Sequence, residues 1–482
     1  MDLKSPFLDV NYLSGSLLSV DYFCSRGHKG TWRSSAISKK KIHINVLLAS
    51  CVALSGIRVQ SFLNFGKILR LPMIAETHHH GHVKKYLYPV IYRMFTDMQD
   101  TLLEEVKKEE NVVISTDGQF DSMGHSAKYC TVSGMLTESR SLKNLILDFS
   151  IIQKGQFACG SNELETHGTE QLMEKLVKEQ ELPITHLVTD RHYGVAKMMR
   201  DKFPQVFHAN DIWHASKNLG KALTKAAKKH PKIGLWSRST TNHFWWCCKT
   251  CKGDANVLYE LWFSHLFHVL NIHHWGSRKK VLAEFKKLRT TKANYLRPYP
   301  NPPVLFKECW HKELTNKDSR TTKWFNIGDK DFKVFFYVIT DTRFCSVLPR
   351  CAQFLHTGNL ESFHAVKIQY LPKAVAFTMI ASIILTMLAI MHHNFGQKSV
   401  IKSYNVQKWS RAEKKWLLAK KTMRDTVSFK RDILSQVSEN ITAGTVMTYD
   451  LSNYIRQPVP KTYHGTAKPS MESLLSGKRS RL

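Results

Sequence analysis

Acidic side chains are in short supply in this chain. There are 39 Asp and Glu against 70 Lys and Arg, a formal charge of +31 over 482 residues. An imbalance of that size exceeds what solubility requires and points to a polyanionic partner, nucleic acid first. An anionic membrane surface or an acidic partner is the other class that charge alone admits. A cysteine framework is also missing: the ten Cys are scattered without a repeating spacing, and the N-terminus lacks the basic, apolar, small-residue order of a secretory signal. A disulfide-built secreted scaffold is therefore not expected, and a reducing intracellular compartment is. Long hydrophobic runs are lacking too. The stretch AVAFTMIASIILTMLAI at 374–390 comes nearest, at the lower edge of a membrane span, and His392-His393-Asn394 follows it in place of basic flanks. It reads as a buried core helix, and no membrane partner is expected.

What is present divides the chain. The 43% hydrophobic content suffices for cores, and the length suggests two to four structural units. Residues 1–43 read as an irregular lead-in that closes on Ser38-Lys39-Lys40-Lys41. Residues 44–110 carry helical periodicity with a Gly-containing turn, compatible with a helix-turn-helix DNA reader or with a packing domain. From 111 to 230 the period changes to three strands of an antiparallel meander, then helices alternating with the strands Val188-Thr189-Asp190 and Val206 to Ala209. Residues 231–345 form a helical stretch rich in Trp, His, Lys and Phe. Residues 346–430 hold a helix opened by Gly358-Asn359, the apolar helix and a basic helix at Lys408 to Lys421. A polar C-terminal region at 431–482 ends on the basic tail Lys478-Arg479-Ser480-Arg481 and is expected to be disordered.

Three carboxylates stand out by context: Asp117 in VVISTDGQFD, Asp190 in ITHLVTDRH and Glu361 in HTGNLESFH. Each Asp ends a short apolar β-branched run, so a buried strand would deliver it at its C-terminal end, where open α/β sheets place their sites. Glu361 would point from the first turn of a helix. Two-metal phosphoryl chemistry needs such hard oxygen ligands, because two cations about 3.5–4 Å apart must clamp the attacking and leaving oxygens.

Together with LDFSIIQK at 147–154, TDRHYGVAKMMRDKFP at 189–204, Asp211-Ile212-Trp213-His214 and NHFWWCCKTCKGD at 242–254, these stretches resemble DDE/D transposases, most closely the Kolobok-like group that often carries a THAP zinc finger. The second Asp segment with its Trp-His continuation is also similar to Mutator-like transposases, in which a long helical insertion precedes the final Glu. The resemblance spans roughly residues 44 to 430. It implies an RNase H-like catalytic domain, a mixed five-stranded sheet flanked by helices, with 231–345 as a large helical insertion. It also implies Asp117, Asp190 and Glu361 as ligands of Mg²⁺ or Mn²⁺, with DNA cleavage and strand transfer as the chemistry, and DNA, a homo-oligomer and the nucleus as setting. A non-catalytic DNA-binding or chromatin protein that keeps the fold is the competing class. No THAP-type finger is present in the chain.

Further residues are candidates for support. Asp121 and Asp211 are acids near the expected ligands, and His214 would orient a carboxylate, bind phosphate or simply cap a helix. Cys248 and Cys251 have Cys-x-x-Cys spacing, with His265, His268, His273 and His274 downstream; zinc or buried packing would suit them equally. His78-His79-His80 with His82 reads as a solvated loop. Trp236, Trp245, Trp246, Trp262 and Trp275 would stack on unpaired bases or pack as core.

Overall fold

The computed structural model describes residues 7–24, 26–38, 41–123, 127–138, 142–157, 160, 163–274, 279–290, 308–311, 322–373, 375–411, 414–460 and 470–472. Its strands are Phe7–Ser14 (β1), Leu17–Phe23 (β2), Lys29–Arg33 (β3), Ile37–Ser38 (β4), Lys41–Ile42 (β5), Val112–Phe120 (β6), Tyr129–Glu138 (β7), Leu145–Gln153 (β8), Ile184–Thr189 (β9), Phe207–Asn210 (β10), Val400–Ser410 (β11) and Lys415–Arg424 (β12). A five-stranded sheet has the order β10-β9-β6-β7-β8. Strands β7 and β8 run antiparallel and β9 and β10 parallel, so the sheet is mixed, as the strand order in the sequence suggests. The chain divides into two compact units, one of Met1–Val112, Asp117–Pro183 and Asn359–Leu482, the other of Val113–Thr116 and Ile184–Gly358.

In the first unit the expected irregular lead-in is corrected to a three-stranded antiparallel sheet, β1-β2-β3. Gly15 occupies the turn between the first two strands at φ +58, and a Cβ there would run into Ile74 and Asn45, whose Oδ1 accepts the amide of Ser16 at 3.0 Å. The expected helical stretch follows as His43–Ser55, Val59–Ile68 and Glu76–His82, the last passing through one π turn at Val83–Leu87 into Tyr88–Val106. The histidines read as a loop therefore lie on a helix. His79 faces inward, and burial, aided by His80 and His82, pushes its pKa down to about 4.

Every residue of β8 is buried. Because β8 is an edge strand, its outward backbone groups need partners. Asn394 provides them at Ile146, accepting from its amide and donating to its carbonyl, both at 2.9 Å. Asn394 belongs to the helix Met379–Lys398, which is long and apolar enough to cross a membrane by length and composition, with 78% of its apolar window buried inside the protein. Burial on nearly all sides explains why its sequence is apolar all round. The expected basic helix at Lys408 to Lys421 is corrected to the β11–β12 hairpin. Trp409 faces Trp416 directly across the pair, rings 5.6 Å apart and edge to face. Such cross-strand aromatic contacts outweigh the helical spacing of the lysines. Beyond the hairpin, Ser428–Ala443 is a helix that buries Phe429, Ile433, Val437 and Ile441, so the C-terminal region begins as core and not as tail. The run at 478–481 lies outside the described residues.

The second unit joins β9 and β10 to the helices Ile212–Ala227, Pro231–Thr250, Ala255–His268 and Lys330–Ile339. Its core is aromatic, built on Phe244, Trp262, Phe325, Phe332, Phe335 and Phe336, all fully buried. Trp262 donates from Nε1 to the carbonyl of Ile339 at 3.0 Å, and Trp236 to that of Lys323 at 3.1 Å. These two indoles are core and not base-stacking surface; Trp246 remains partly exposed, and Trp275 lies outside the described residues.

Candidate metal centre

Parallel pairing of β9 and β10 sets Thr189 opposite Asn210. The next residue on each strand is a carboxylate, so Asp190 and Asp211 leave the sheet side by side at neighbouring C-terminal ends. Asp211 is the N-cap of Ile212–Ala227, its Oδ1 accepting the amide of Trp213 at 2.7 Å. Its Oδ2 accepts from Thr357 Oγ1 at 2.6 Å and from His214 Nδ1 at 2.7 Å. His214, one turn into the helix, folds back over the cap. Its ring stands edge-on to Trp213 at 4.6 Å, and Lys217 lies over that indole at 4.3 Å.

The same Nδ1 also abuts Asp190 Oδ1. One ring nitrogen carries one proton, and the geometry of a hydrogen bond is met toward Asp211. Asp190 Oδ1 is thus buried against the ring without a hydrogen-bond partner among the described residues. Burial alone would lower the His214 pKa, but the carboxylates of Asp190 and Asp211 hold it up to about 10. Burial likewise opposes ionisation of Asp211, and the bonds from His214, Thr357 and the Trp213 amide win, leaving its pKa below the usual value. The resting cluster is an imidazolium between two carboxylates.

These donors also fit a divalent cation. The carboxylate oxygens and the imidazole nitrogen lie within 4.8 Å of one another. Asp190 Oδ1, held against the His214 ring, would be an oxygen ligand once that ring gives it up, and a carboxylate-rich set with a single imidazole suits Mg²⁺ or, better, Mn²⁺. A cavity of about 440 Å³ adjoins the cluster along the chain: Arg191, which follows Asp190, and Asn210, which precedes Asp211, both line it. Lys197, Arg200 and Arg350 line it too, which makes the cavity strongly cationic. Arg191 donates to the hydroxyl of Tyr193 at 2.7 Å, which holds its guanidinium in place.

The other sequence-nominated acids lie in the first unit. Asp117 is on β6 with its Oδ2 3.5 Å from His364 Nδ1, and Glu361 is exposed in the first turn of Gly358–Tyr370. Burial, with Lys367 and Lys373 nearby, pushes His364 down to about 3, so this contact involves a neutral imidazole. Asp121 accepts the amide of Lys128 at 2.9 Å and serves the β6–β7 connection. The structure therefore groups Asp190 with Asp211 and His214, and assigns Asp117 and Glu361 to the other unit. Cys248 and Cys251 do not join the downstream histidines. Both are buried in the aromatic core, with the Cys251 thiol donating to the carbonyls of Cys248 and Ala352.

Lys367 is a group that sequence patterns did not single out. It is 4% exposed on the helix that carries Glu361, and burial pushes its pKa down to about 7 despite Cys130 and Asp121. The ordinary value is 10.5, so holding the ammonium in the fold costs on the order of 5 kcal/mol. Between about 7 and 10.5 the unfolded chain keeps this proton and the folded chain has released it, so stability should rise with pH across that interval. Lys367→Met should stabilise the protein below the interval and flatten the rise. Urea-unfolding midpoints on either side of it check both, and equal pH profiles for the two proteins would refute the assignment.

Neither protein-family models nor curated proteins show a match to this chain.

Proposed function

We propose that this chain is a metal-dependent DNA-processing protein of the DDE/D transposase type, with an RNase H-like catalytic fold. The observation that carries the reading is the convergence of Asp190, Asp211 and His214 at the C-terminal ends of two parallel strands, with a cationic cavity beginning at the next residue. Asp190 and Asp211 would hold Mg²⁺ or Mn²⁺. The sequence contexts add Asp117 and Glu361 as ligands, a claim that rests on those contexts. Such a cation, when bound, makes a water or 3′-hydroxyl nucleophilic and neutralises the charge that develops on the scissile phosphate.

The chain's own groups supply the rest. Arg191, Lys197, Arg200 and Arg350 offer charge-assisted contacts to backbone phosphates, the sequence-independent part of nucleic-acid binding. His214 must surrender its Nδ1 proton, or turn from the carboxylates, before they serve as metal ligands; Thr357 and the Trp213 amide keep Asp211 aimed while it does so. DNA as partner, self-association and a nuclear location belong to the same proposal.

A second reading has its own support. An imidazolium already offsets one of the two negative charges of Asp190 and Asp211, which suits a scaffold that binds DNA without cutting it. Supercoiled DNA incubated with the whole chain separates the two. The transposase reading expects nicking with Mn²⁺ or Mg²⁺ and none with chelator, together with binding that weakens steeply as salt rises. Salt-sensitive binding with no cleavage under either cation would leave the scaffold reading.

A further inference from the structure

We propose that His268, His273, Cys309 and His311 form a structural zinc site in the second unit, distinct from the carboxylate cluster and independent of the function proposed above. The four side chains place one ligand atom each within 4.8 Å of all the others, and no carboxylate belongs to the group. Tetrahedral zinc with Zn–N of about 2.0–2.1 Å and Zn–S of about 2.3 Å requires ligand atoms about 3.3–3.6 Å apart. Cys309 Sγ lies 3.6 Å from His268 Nδ1, and His311 Nε2 lies 3.2 Å from His273 Nδ1. Two edges of the coordination tetrahedron are therefore already at the required length.

The surroundings orient the rings as metal ligands need. Nε2 of His273 is 3.0 Å from Asn271 Oδ1; donation there fixes the tautomer whose lone pair is on Nδ1, the atom that faces His311. Trp324 stands edge-on to His268 and His273, each at 5.7 Å, and Trp236 edge-on to His268 at 5.8 Å. Asn271, at φ 58, turns the chain sharply after the helix Ala255–His268, which brings His273 back toward His268. The second pair of ligands is held by backbone pairing, the amide of Cys309 donating to the carbonyl of His273 at 2.9 Å and His274 forming an antiparallel bridge with Glu308, whose carboxylate also lies 3.0 Å from the His274 ring nitrogen Nδ1.

One thiolate with three imidazoles is a zinc donor set and a poor one for Mg²⁺. Four protein ligands close the coordination sphere, which marks the site as structural and not catalytic. Binding would release the thiol proton of Cys309 to solvent and leave the three imidazoles neutral. The ion would pin 308–311 to the end of Ala255–His268, closing the chain between them.

Metal analysis of the whole protein, purified without added zinc and dialysed against metal-free buffer, is the first test; one zinc per chain is expected. Chelator should remove it and lower the thermal midpoint, and Co²⁺ added to the stripped protein should give tetrahedral visible bands with a thiolate-to-cobalt charge-transfer band. Cys309→Ser should abolish that band, whereas Cys24→Ser, Cys248→Ser and Asp190→Asn should keep it. His311→Ala, at an exposed position, guards against misfolding of the Cys309 variant and should weaken Co²⁺ binding by at least about tenfold. The proposal is overturned by protein that holds no zinc and gives no charge-transfer band, or by a band that survives Cys309→Ser.

Discussion

Asp190→Asn should reduce metal-dependent DNA nicking by a factor on the order of 10⁴, the loss typical when the carboxylate of a catalytic group becomes an amide. The substitution keeps the shape of the side chain and removes its charge. An amide oxygen at the Oδ1 position is a weak ligand for a hard cation, and the ligand set loses a unit of negative charge. The fold should persist, because Asp211 and not Asp190 makes the capping contacts to Trp213 and Thr357. A second readout is independent of cleavage. Burial lowers the His214 pKa and two carboxylates raise it to about 10, so removing one of them should move its titration clearly downward by NMR. If nicking survives the substitution while the His214 titration moves, the cluster is real and its catalytic role is refuted. If His214 does not move, the cluster geometry itself is wrong.

The second large effect concerns a buried ion pair in the first unit. Lys175→Met should cost about 3–5 kcal/mol of stability, because it leaves the Asp148 carboxylate buried and uncompensated. Asp148 is fully buried and pairs with Lys175, which is 8% exposed in its side chain. Its Oδ1 accepts the amide of Phe149 at 2.8 Å, and the Tyr454 hydroxyl stands 3.4 Å away. The Lys175 ammonium also lies 4.1 Å above the Tyr454 ring, which stacks on Phe149 at 4.7 Å. The double variant Asp148→Leu, Lys175→Met should recover most of the loss, since apolar replacement of a buried pair is often neutral. Urea unfolding followed by circular dichroism measures both, and a single-variant loss under about 1 kcal/mol would class the pair with weak surface bridges. Lys367 should respond in the opposite direction to the same substitution, because burial there outweighs the attraction of Cys130 and Asp121 and its pKa falls to about 7.

Local pattern revealed much of the outline of the five-stranded sheet and the helices beside it. Apolar β-branched runs ending in Asp led to β6 and β9, and the helical period at 44–110 led to the helices found there. The basic stretch at 408–421 misled because lysines at helical spacing also occupy the exposed face of a hairpin, and the Trp409–Trp416 pairing is not a local signal. The zinc expectation at Cys248 and Cys251 relied on spacing along one segment. The thiol that meets the histidines, Cys309, comes from a distant one.

By itself the sequence determined the net charge of +31, the mixed α/β class and the position of Asp190 at a strand end, because composition and short-range periodicity are properties of neighbouring residues; Asp117, expected at a strand end too, lies inside β6. Only tertiary structure decided which donors share a space. Strand register joined Asp190 to Asp211, a helix cap turned His214 onto both, and a sharp turn with a backbone pairing collected His268, His273, Cys309 and His311. Such convergence depends on how far apart in sequence two groups are allowed to be while meeting in space, and that is set by packing, which no local pattern encodes.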